Sequence, residues 1–182
     1  AETIDAVRGA IAERYAVDPV EADDRAYFRL REQRPDFAFN MAEGLHGSFR
    51  ESQMPAILEM LRIPYLGSDP LTLGICLDKA HAKEVLSYYR VPTASFTLVR
   101  TAAEIGDARV RFPAMVKPLH EGSSKGIYDS CVVRTPAELA REVGTVLETY
   151  RQPALVEDFL PGREFTVAIL GNGPDLQVLP IV

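Results

Sequence analysis

Apolar residues recur at helical spacing from the start of the chain. Ile4, Val7, Ile11 and Tyr15 lie three or four positions apart, which predicts an amphipathic helix. In an alternating pattern a strand would precede this helix, so we expect the first strand to be missing. Further helices are predicted at 24–33, 53–62 and 78–90.

Short strand-like stretches separate these first helices. Residues 16–21 and 36–41 are predicted strands, and 67–70 is a predicted turn. Alternation of strand and helix is typical of a parallel, doubly wound sheet. We therefore predict a Rossmann-like α/β domain over residues 1–77.

The pattern changes after Pro92, where strands predominate. A strong helix is predicted at 136–150, because Thr135 and Glu138 form a capping box, and a weak one at 102–110. Strands are predicted at 95–99, 114–117, 127–133, 154–157, 164–170 and 177–181, the last two joined by a hairpin turn at 171–175.

This second pattern predicts an α+β architecture. We expect one α+β domain over residues 78–157 and the beginning of another over 158–182. The apolar run 176–182 ends without a turn or polar tail. Because an unpaired strand needs partners, we expect the chain to be cut at this end as well.

Charge and composition exclude several classes of partner. The 182 residues include 20 Lys and Arg against 26 Asp and Glu, a net charge of −6, and no basic block, so a nucleic-acid partner is not expected. No apolar run approaches the ~20 residues of a membrane span. Without a signal-peptide pattern we expect a cytoplasmic location. Cys76 and Cys131 lack metal-ligand spacing, and a disulfide is not expected.

The segment 121–126, Glu-Gly-Ser-Ser-Lys-Gly, combines glycines with hydroxyls between two predicted strands. Glycine allows close approach of backbone N–H groups to a phosphate, and Lys117 lies just upstream. The segment is not a Walker loop. On composition alone, a β-hairpin loop that uses glycine for its turns is the favoured alternative.

Two lysines stand in unusual settings. Lys117 lies in an apolar strand, where an ammonium needs an anionic partner; a ligand phosphate or a salt bridge to an acid would serve equally. Lys79 begins a predicted helix, where its charge opposes the positive helix end. A ligand anion would explain Lys79, although a solvated surface lysine is the simpler alternative.

Two further polar loops are candidate ligand-binding segments. The connector 157–164 could present backbone donors and acceptors to a planar heterocycle, with Glu164 accepting from hydroxyls, or could be a plain turn. His46 follows the predicted strand 36–41, where open α/β sheets bind ligands. His46, His81 and His120 show no zinc spacing.

In order and spacing, six short motifs resemble the D-alanine–D-alanine ligase family of ATP-grasp enzymes. The resemblance covers about residues 36–170. The motifs are 40–47, 63–68, 77–79, 115–118, 121–126 and the pair 156–159 and 163–167.

The resemblance implies an activity and a set of residue roles. In this family ATP lies between two α+β subdomains and phosphorylates a carboxylate, and the acylphosphate is attacked by the amine of a second amino acid. Residues 78–157 would be the small ATP-grasp subdomain. The implied nucleotide contacts are Lys79, Lys117, Glu121, Ser123, Ser124, Glu157, Asp158, Phe159, Leu160 and Glu164.

Three residues would act on the reacting groups. Lys117 would hold phosphates, Ser123 would orient the first amino acid, and His46 would belong to the substrate side. The loop with Ser124 would close over the γ-phosphate, while Glu157 and the backbone of Asp158 and Leu160 would bind adenine. ATP and amino acids, D-alanine first among them, are the expected partners, and a homodimer is left open.

The chain departs from the family pattern at 48–53, where Ser-Phe-Arg-Glu-Ser-Gln replaces a glycine-rich stretch. This leaves open an ATP-grasp ligase for other amino acids or small peptides. The family's Mg²⁺ ligands are expected beyond residue 182, and its ammonium-binding glutamate upstream of Ala1. A non-catalytic nucleotide-binding module is therefore a further alternative, and the isolated segment is expected to be inactive.

Overall fold

The computed structural model describes residues 2–181 and divides into two compact units. The first unit comprises the chain up to Thr93 together with Pro118–Gly126. The second comprises Ala94–Lys117 and the chain from Ile127 onward. The division into domains at residues 77 and 157 remains a prediction.

Helices build the first unit. The apolar residues of α3 pack against Leu30 and Ile63, and Leu58 is 1% exposed at the centre of this cluster. The helices are α1 (Glu2–Ala12), α2 (Ala26–Gln33), α3 (Gln53–Leu61), α4 (Pro70–Leu77) and α5 (Lys79–Tyr88).

The doubly wound sheet is not confirmed in this unit. No strand forms between residues 2 and 93, and the strand predicted at 16–21 is wrong. Of the segment 36–41, only Ala38 pairs, in an isolated parallel bridge with Tyr65. A strand needs a neighbour for its backbone groups, and sequence alternation cannot show whether that neighbour is available.

Helix α4 begins at the last residue of the predicted turn 67–70 and occupies a segment for which the sequence analysis predicts no helix. The Asp69 carboxylate accepts from the N–H groups of Leu71 and Thr72 at 2.9 and 3.1 Å, and Pro70 takes the first helical position. This is the ordinary cap-and-proline start of a helix. The signal was therefore present in the sequence and was missed.

The second unit contains a four-stranded sheet in the order β1-β4-β2-β3. Strand β1 runs antiparallel to β4, and β2 antiparallel to β3. Helix α6 (Pro136–Thr149) contributes Leu139, Val143 and Val146 to a core with the strands, in which Val116 and Val133 are fully buried. The strands are β1 (Phe96–Val99), β2 (Ala114–Pro118), β3 (Val132–Val133) and β4 (Ala154–Asp158).

Most predictions for the second unit are confirmed, although several bounds differ from the predicted ones. The strand predicted at 127–133 reduces to β3, because Asp129–Cys131 forms a 3-10 turn. The weak helix at 102–110 is a 3-10 helix, Ala102–Asp107. The predicted hairpin exists but pairs only β5 (Ile169–Leu170) with β6 (Gln177–Val178).

The backbone conformation of Arg62, at the end of α3, provides a test of how this helix ends. Arg62 ends the helix at φ 56°, in the left-handed region, while its N–H bonds to the carbonyl of Glu59. Because glycine adopts this conformation without the Cβ penalty, Arg62→Gly should stabilise the full-length protein by about 0.5–1 kcal/mol. Urea denaturation measures this change.

Arg34 provides a matched control. It ends α2 at φ 49°, but its guanidinium also donates to the Leu61 carbonyl at 2.9 Å. Arg34→Gly loses that bond and should gain less than Arg62→Gly. Equal or larger stabilisation in Arg34→Gly would contradict this account of the two helix ends.

Candidate functional site

The start of α5 anchors the predicted phosphate loop, residues 119–126, within the first unit. Asp78 is buried and caps the helix, accepting from the N–H groups of Ala80 and His81 at 3.0 Å each. Its second oxygen lies 3.0 Å from Nε2 of His120. One carboxylate therefore fixes both the helix start and the first part of the loop.

The Lys79 side chain binds backbone carbonyls of the same loop. Its ammonium donates to the carbonyl of Leu119 at 3.2 Å and to the carbonyl of Glu121. The side chain is partly buried rather than a solvated surface lysine. The structure thus places Lys79 directly at the loop where a ligand phosphate was predicted.

A second set of contacts joins the loop to the segment 43–51. The guanidinium of Arg50 donates to the Glu121 carboxylate at 3.1 Å, and both side chains are largely buried. Gly122 lies so close to Glu51 that a Cβ at this position would be 3.1 Å from the Glu51 carboxylate. The unusual segment 48–53 is therefore part of the loop's immediate surroundings.

The loop backbone is constrained at its hydroxyl-bearing residues. Ser123 and Ser124 have φ angles of 48° and 59° and are exposed. Such angles cost an L-residue roughly 1–2 kcal/mol, and they persist only where surrounding contacts impose them. The bonds of Lys79 and Arg50 are contacts of this kind.

Glu43 is a site residue that sequence reasoning missed. Its carboxylate accepts from the Ser123 hydroxyl at 2.9 Å and from the Lys125 ammonium at 3.1 Å. Lys125, and then Ser123, lower the pKa of Glu43. Glu43 lies three residues before His46 in the same polar loop. No local sequence pattern marks Glu43 as a site residue.

Over residues 2–181, the structure shows no hydrogen bond between His46 and this loop. It is exposed, and its carbonyl accepts from Gln53 Nε2 at 2.9 Å. His46 itself lines an open cavity of about 510 Å³, together with Asp23, Asp24 and Tyr27. The predicted substrate role of His46 remains a prediction.

Lys117 and Glu157 lie together in the second unit. They stand on the neighbouring strands β2 and β4 and form an ion pair, with side chains 25% and 10% exposed. The partner shown for Lys117 is thus an acid of the protein, which was the alternative to a ligand phosphate. Lys79 belongs to the first unit, and its predicted meeting with Lys117 at one triphosphate remains a prediction.

The connector after β4 is fixed at its beginning. The N–H groups of Asp158 and Phe159 donate to the carbonyls of Ser95 and Pro113 at 3.0 and 3.1 Å, and the Asp158 carboxylate pairs with Arg111. Leu160 and Glu164, further along, are exposed. The adenine and ribose roles of this connector remain predictions.

The described residues do not show a metal site or a membrane span. Between residues 2 and 181 no three His, Cys, Asp or Glu side chains group in a way that could hold a metal ion. These residues therefore do not fit the Mg²⁺ that the resemblance implies. Within the same range, none of the helices has the length and apolar character needed to cross a membrane.

Comparison with solved structures first defines the class of fold. A D-alanine–D-alanine ligase from Bacillus anthracis, solved in complex with ATP, matches with a TM-score of 0.67 at 26% identity, over 93% of this chain and 54% of its own. The VanG D-Ala:D-Ser ligase of Enterococcus faecalis matches with a TM-score of 0.66 at 25% identity, over 80% of this chain and 42% of its own. The chain thus has a mixed helix-and-sheet fold of the ATP-grasp class.

The family follows from sequence. The model described as "D-ala D-ala ligase C-terminus" matches residues 84–182, and the chain belongs to the D-alanine–D-alanine ligase family. The D-alanine–D-alanine ligase of Herminiimonas arsenicoxydans is 35% identical over 92% of this chain and 49% of its own. The uncharacterized protein y4sG of Sinorhizobium fredii is 43% identical over 79% of this chain and 41% of its own. The chain therefore spans less than half the length of these two relatives.

The charge of Asp78 provides a pH-dependent test of the loop anchor. Burial opposes ionisation, but the backbone N–H of His81 and the rings of His81 and His120 lower the pKa of Asp78 overall, while Asp78 raises the pKa of His81. Asp78→Asn keeps an oxygen for the cap but removes the charge. We expect the full-length protein to lose about 1–2 kcal/mol.

This loss should depend on pH in a defined direction. A raised His81 pKa stabilises the fold below the ordinary His value, and the contribution disappears as pH rises through the raised value. Asp78→Asn should therefore cost more at about pH 5.5 than at about pH 9. Urea denaturation at both values measures this, and His81→Ala should abolish much of the difference.

Proposed function

We propose that the protein is an ATP-dependent carboxylate–amine ligase that joins two D-alanines in the cytoplasm, for synthesis of the bacterial cell wall. The observation that carries this proposal is the loop 119–126. The Lys79 ammonium and Arg50 hold it, and it presents two constrained serine hydroxyls. Family membership supplies the reaction class.

The proposed chemistry has two steps. A substrate carboxylate oxygen attacks the γ-phosphorus of ATP, and the bond to the β-phosphate oxygen breaks, releasing ADP and an acylphosphate. The neutral amine of a second amino acid then attacks the acyl carbon, phosphate leaves, and the amine loses a proton. Both steps bring anions together, so positioned cations lower their barriers.

Residues of the first unit would act on the phosphates. The Lys79 ammonium donates to the carbonyls of Leu119 and Glu121, so its positive charge is held at the loop where a phosphate would bind. Ser124 and the loop N–H groups would cover the γ-phosphate. Excluding water there would protect the acylphosphate from hydrolysis.

Residues of the second unit would bind the rest of the nucleotide. Lys117 would contact phosphates, and Glu157 and the backbone of Asp158 and Leu160 would bind adenine, while Glu164 would hold the ribose. In the structure Lys117 and Glu157 neutralise each other. This pairing holds the half-buried Lys117 side chain in place before a nucleotide binds.

The resemblance also implies Mg²⁺, which would neutralise phosphate charge when bound. Because the described residues do not supply its ligands, their proposed roles are confined to binding, orientation and exclusion of water. The metal ligands are proposed to follow residue 182.

A ligase for other amino acids is the second candidate. Arg50, in the segment that departs from the family, pairs with Glu121 of the loop. A sequence change in this segment therefore alters a contact of the loop that is proposed to orient the substrate. This contact supports a substrate preference different from D-alanine.

The role of Lys117 can be tested in the full-length protein. Lys117→Ala should lower ATP-dependent phosphate release by at least 100-fold, because one phosphate-binding charge is lost. Lys117→Arg is the control that keeps the charge. Since Lys117→Ala removes an ion-pair partner of Glu157, thermal melting should first establish that the variant folds. A folded Lys117→Ala protein with wild-type turnover would remove Lys117 from the mechanism.

Substrate choice requires a separate measurement. Phosphate release should be assayed against a panel of D- and L-amino acids, singly and in pairs. We expect release to depend on D-alanine. Release that depends on another amino acid would favour the second candidate. ATP binding with no release for any member of the panel would favour a non-catalytic nucleotide-binding module.

A further inference from the structure

His120 lies within the predicted phosphate loop, and none of the roles above uses it. Its imidazole is largely buried, with the side chain 16% exposed, and its Nε2 lies 3.0 Å from the second carboxylate oxygen of Asp78. The two residues are 42 positions apart in the chain. This contact therefore ties the loop 119–126 to the start of α5.

The imidazole of His120 is the donor in this contact. Although burial opposes ionisation, the N–H of His81 and the two imidazoles lower the pKa of Asp78, so its carboxylate is ionised at neutral pH. An ionised carboxylate only accepts hydrogen bonds. His120 therefore carries a hydrogen on Nε2 and donates it to Asp78, whether the ring is neutral or protonated.

The Asp78 carboxylate has a full set of donors. An ionised carboxylate has about four acceptor positions, and its first oxygen accepts from the N–H groups of Ala80 and His81 at 3.0 Å each. The second oxygen is shared by the imidazoles of His81 and His120, at 2.9 and 3.0 Å. A fully satisfied buried network of this kind is rigid, so it holds the His120 ring in one orientation.

The two histidines differ in what they connect. His81 is 63% exposed and contacts Asp78 from the same helix, three residues further on. The loss of His81 would leave the bond between His120 and Asp78 in place. His120 reaches Asp78 from the loop, so the loss of His120 would remove this tie between the loop and the helix.

The chain neighbours of His120 hold the Lys79 ammonium. Lys79 Nζ donates to the carbonyl of Leu119 at 3.2 Å and to the carbonyl of Glu121. The backbone N–H of Lys79 also donates to the Leu119 carbonyl, at 3.4 Å. Because Lys79 follows Asp78 directly, these contacts close a ring between residues 78–79 and 119–121. Within this ring the position of His120 determines where the two carbonyls hold the ammonium.

We propose that His120 is a positioning residue for the nucleotide. Its bond to Asp78 fixes the two adjacent carbonyls, and these orient the Lys79 ammonium toward the phosphates. A cation that is oriented in advance loses less conformational freedom when a ligand binds. This inference rests on the proposed function, in which Lys79 contacts the phosphates. The position requires an N–H donor rather than a charge, so a neutral amide in place of the imidazole should serve the same purpose.

Calorimetric titration of the full-length protein with a non-hydrolysable ATP analogue and Mg²⁺ tests this role. The titration is made at about pH 9, well above the ordinary histidine pKa of about 6.5, so that the His81 charge is largely removed. His120→Ala should weaken analogue binding by about tenfold, within the range of couplings inside one hydrogen-bond network. His120→Gln, which keeps an N–H donor, should restore most of the affinity.

A double-mutant cycle shows whether His120 acts through Lys79. The analogue should bind equally to Lys79→Ala and to the double variant that adds His120→Ala, because the group that His120 positions is already absent. His81→Ala is the matched control. It removes the other imidazole from the same carboxylate oxygen and should keep the wild-type affinity.

Thermal melting of each variant separates a loss of folding from a loss of binding. If His120→Ala does not fold, His120→Leu takes its place, because leucine keeps much of the side-chain volume and lacks the donor. A folded variant without the donor that binds the analogue with reduced affinity supports the positioning role, provided that His120→Gln binds more tightly.

Four results would contradict the positioning role and leave the proposed ligase intact. These are wild-type affinity in folded His120→Ala, additive effects of Lys79→Ala and His120→Ala, binding to His120→Gln as weak as to His120→Ala, and an equal loss of affinity in His81→Ala. A wild-type protein that does not bind the analogue would overturn the proposed function and this inference together.

Discussion

A cationic side chain that is taken out of water must find oxygen partners, and this requirement organises the described structure. A half-buried ammonium or guanidinium costs several kcal/mol if it is left unpaired, roughly as much as the net stability of many domains. Lys79 meets the requirement with loop carbonyls, Arg50 with a carboxylate, and Lys117 with Glu157. In the first unit these partners belong to the loop 119–126, so solvating the cations also shapes the loop.

The two ways of pairing have different consequences for a ligand. Carbonyl partners carry no formal charge, so the bonds of Lys79 to Leu119 and Glu121 do not themselves cancel its positive charge. Carboxylate partners cancel the charge locally, as Glu157 does for Lys117 and Glu121 for Arg50. The loop 119–126 therefore combines neutral carbonyl acceptors for one cation with a charged acceptor for another.

Local patterns predicted what local interactions determine. The capping box of α6, the apolar face of α3 and the alternation in β2 lie within a few residues, and the structure confirms them. Pairing between distant segments could not be predicted. For that reason, two predictions were not confirmed: the sheet before residue 77 and the strand at 16–21. The contact of Glu43 with Ser123 spans 80 residues, and a single sequence gives no signal of it. Motif order could nevertheless place Lys79 and the loop in one site, because their arrangement along the chain reproduces a family pattern.

The contacts of Glu43 with Ser123 and Lys125 follow from the same requirement. When no ligand is bound, Lys125 and the constrained Ser123 hydroxyl need an acceptor, and Glu43 provides it at the cost of an exposed, weak pair. A buried pair in this position would hold the loop more firmly, since breaking a buried pair costs about 3–5 kcal/mol. The contact of Glu43 is therefore weak compared with the largely buried pair of Arg50 and Glu121, and the loop is held mainly from the side of Arg50 and Lys79.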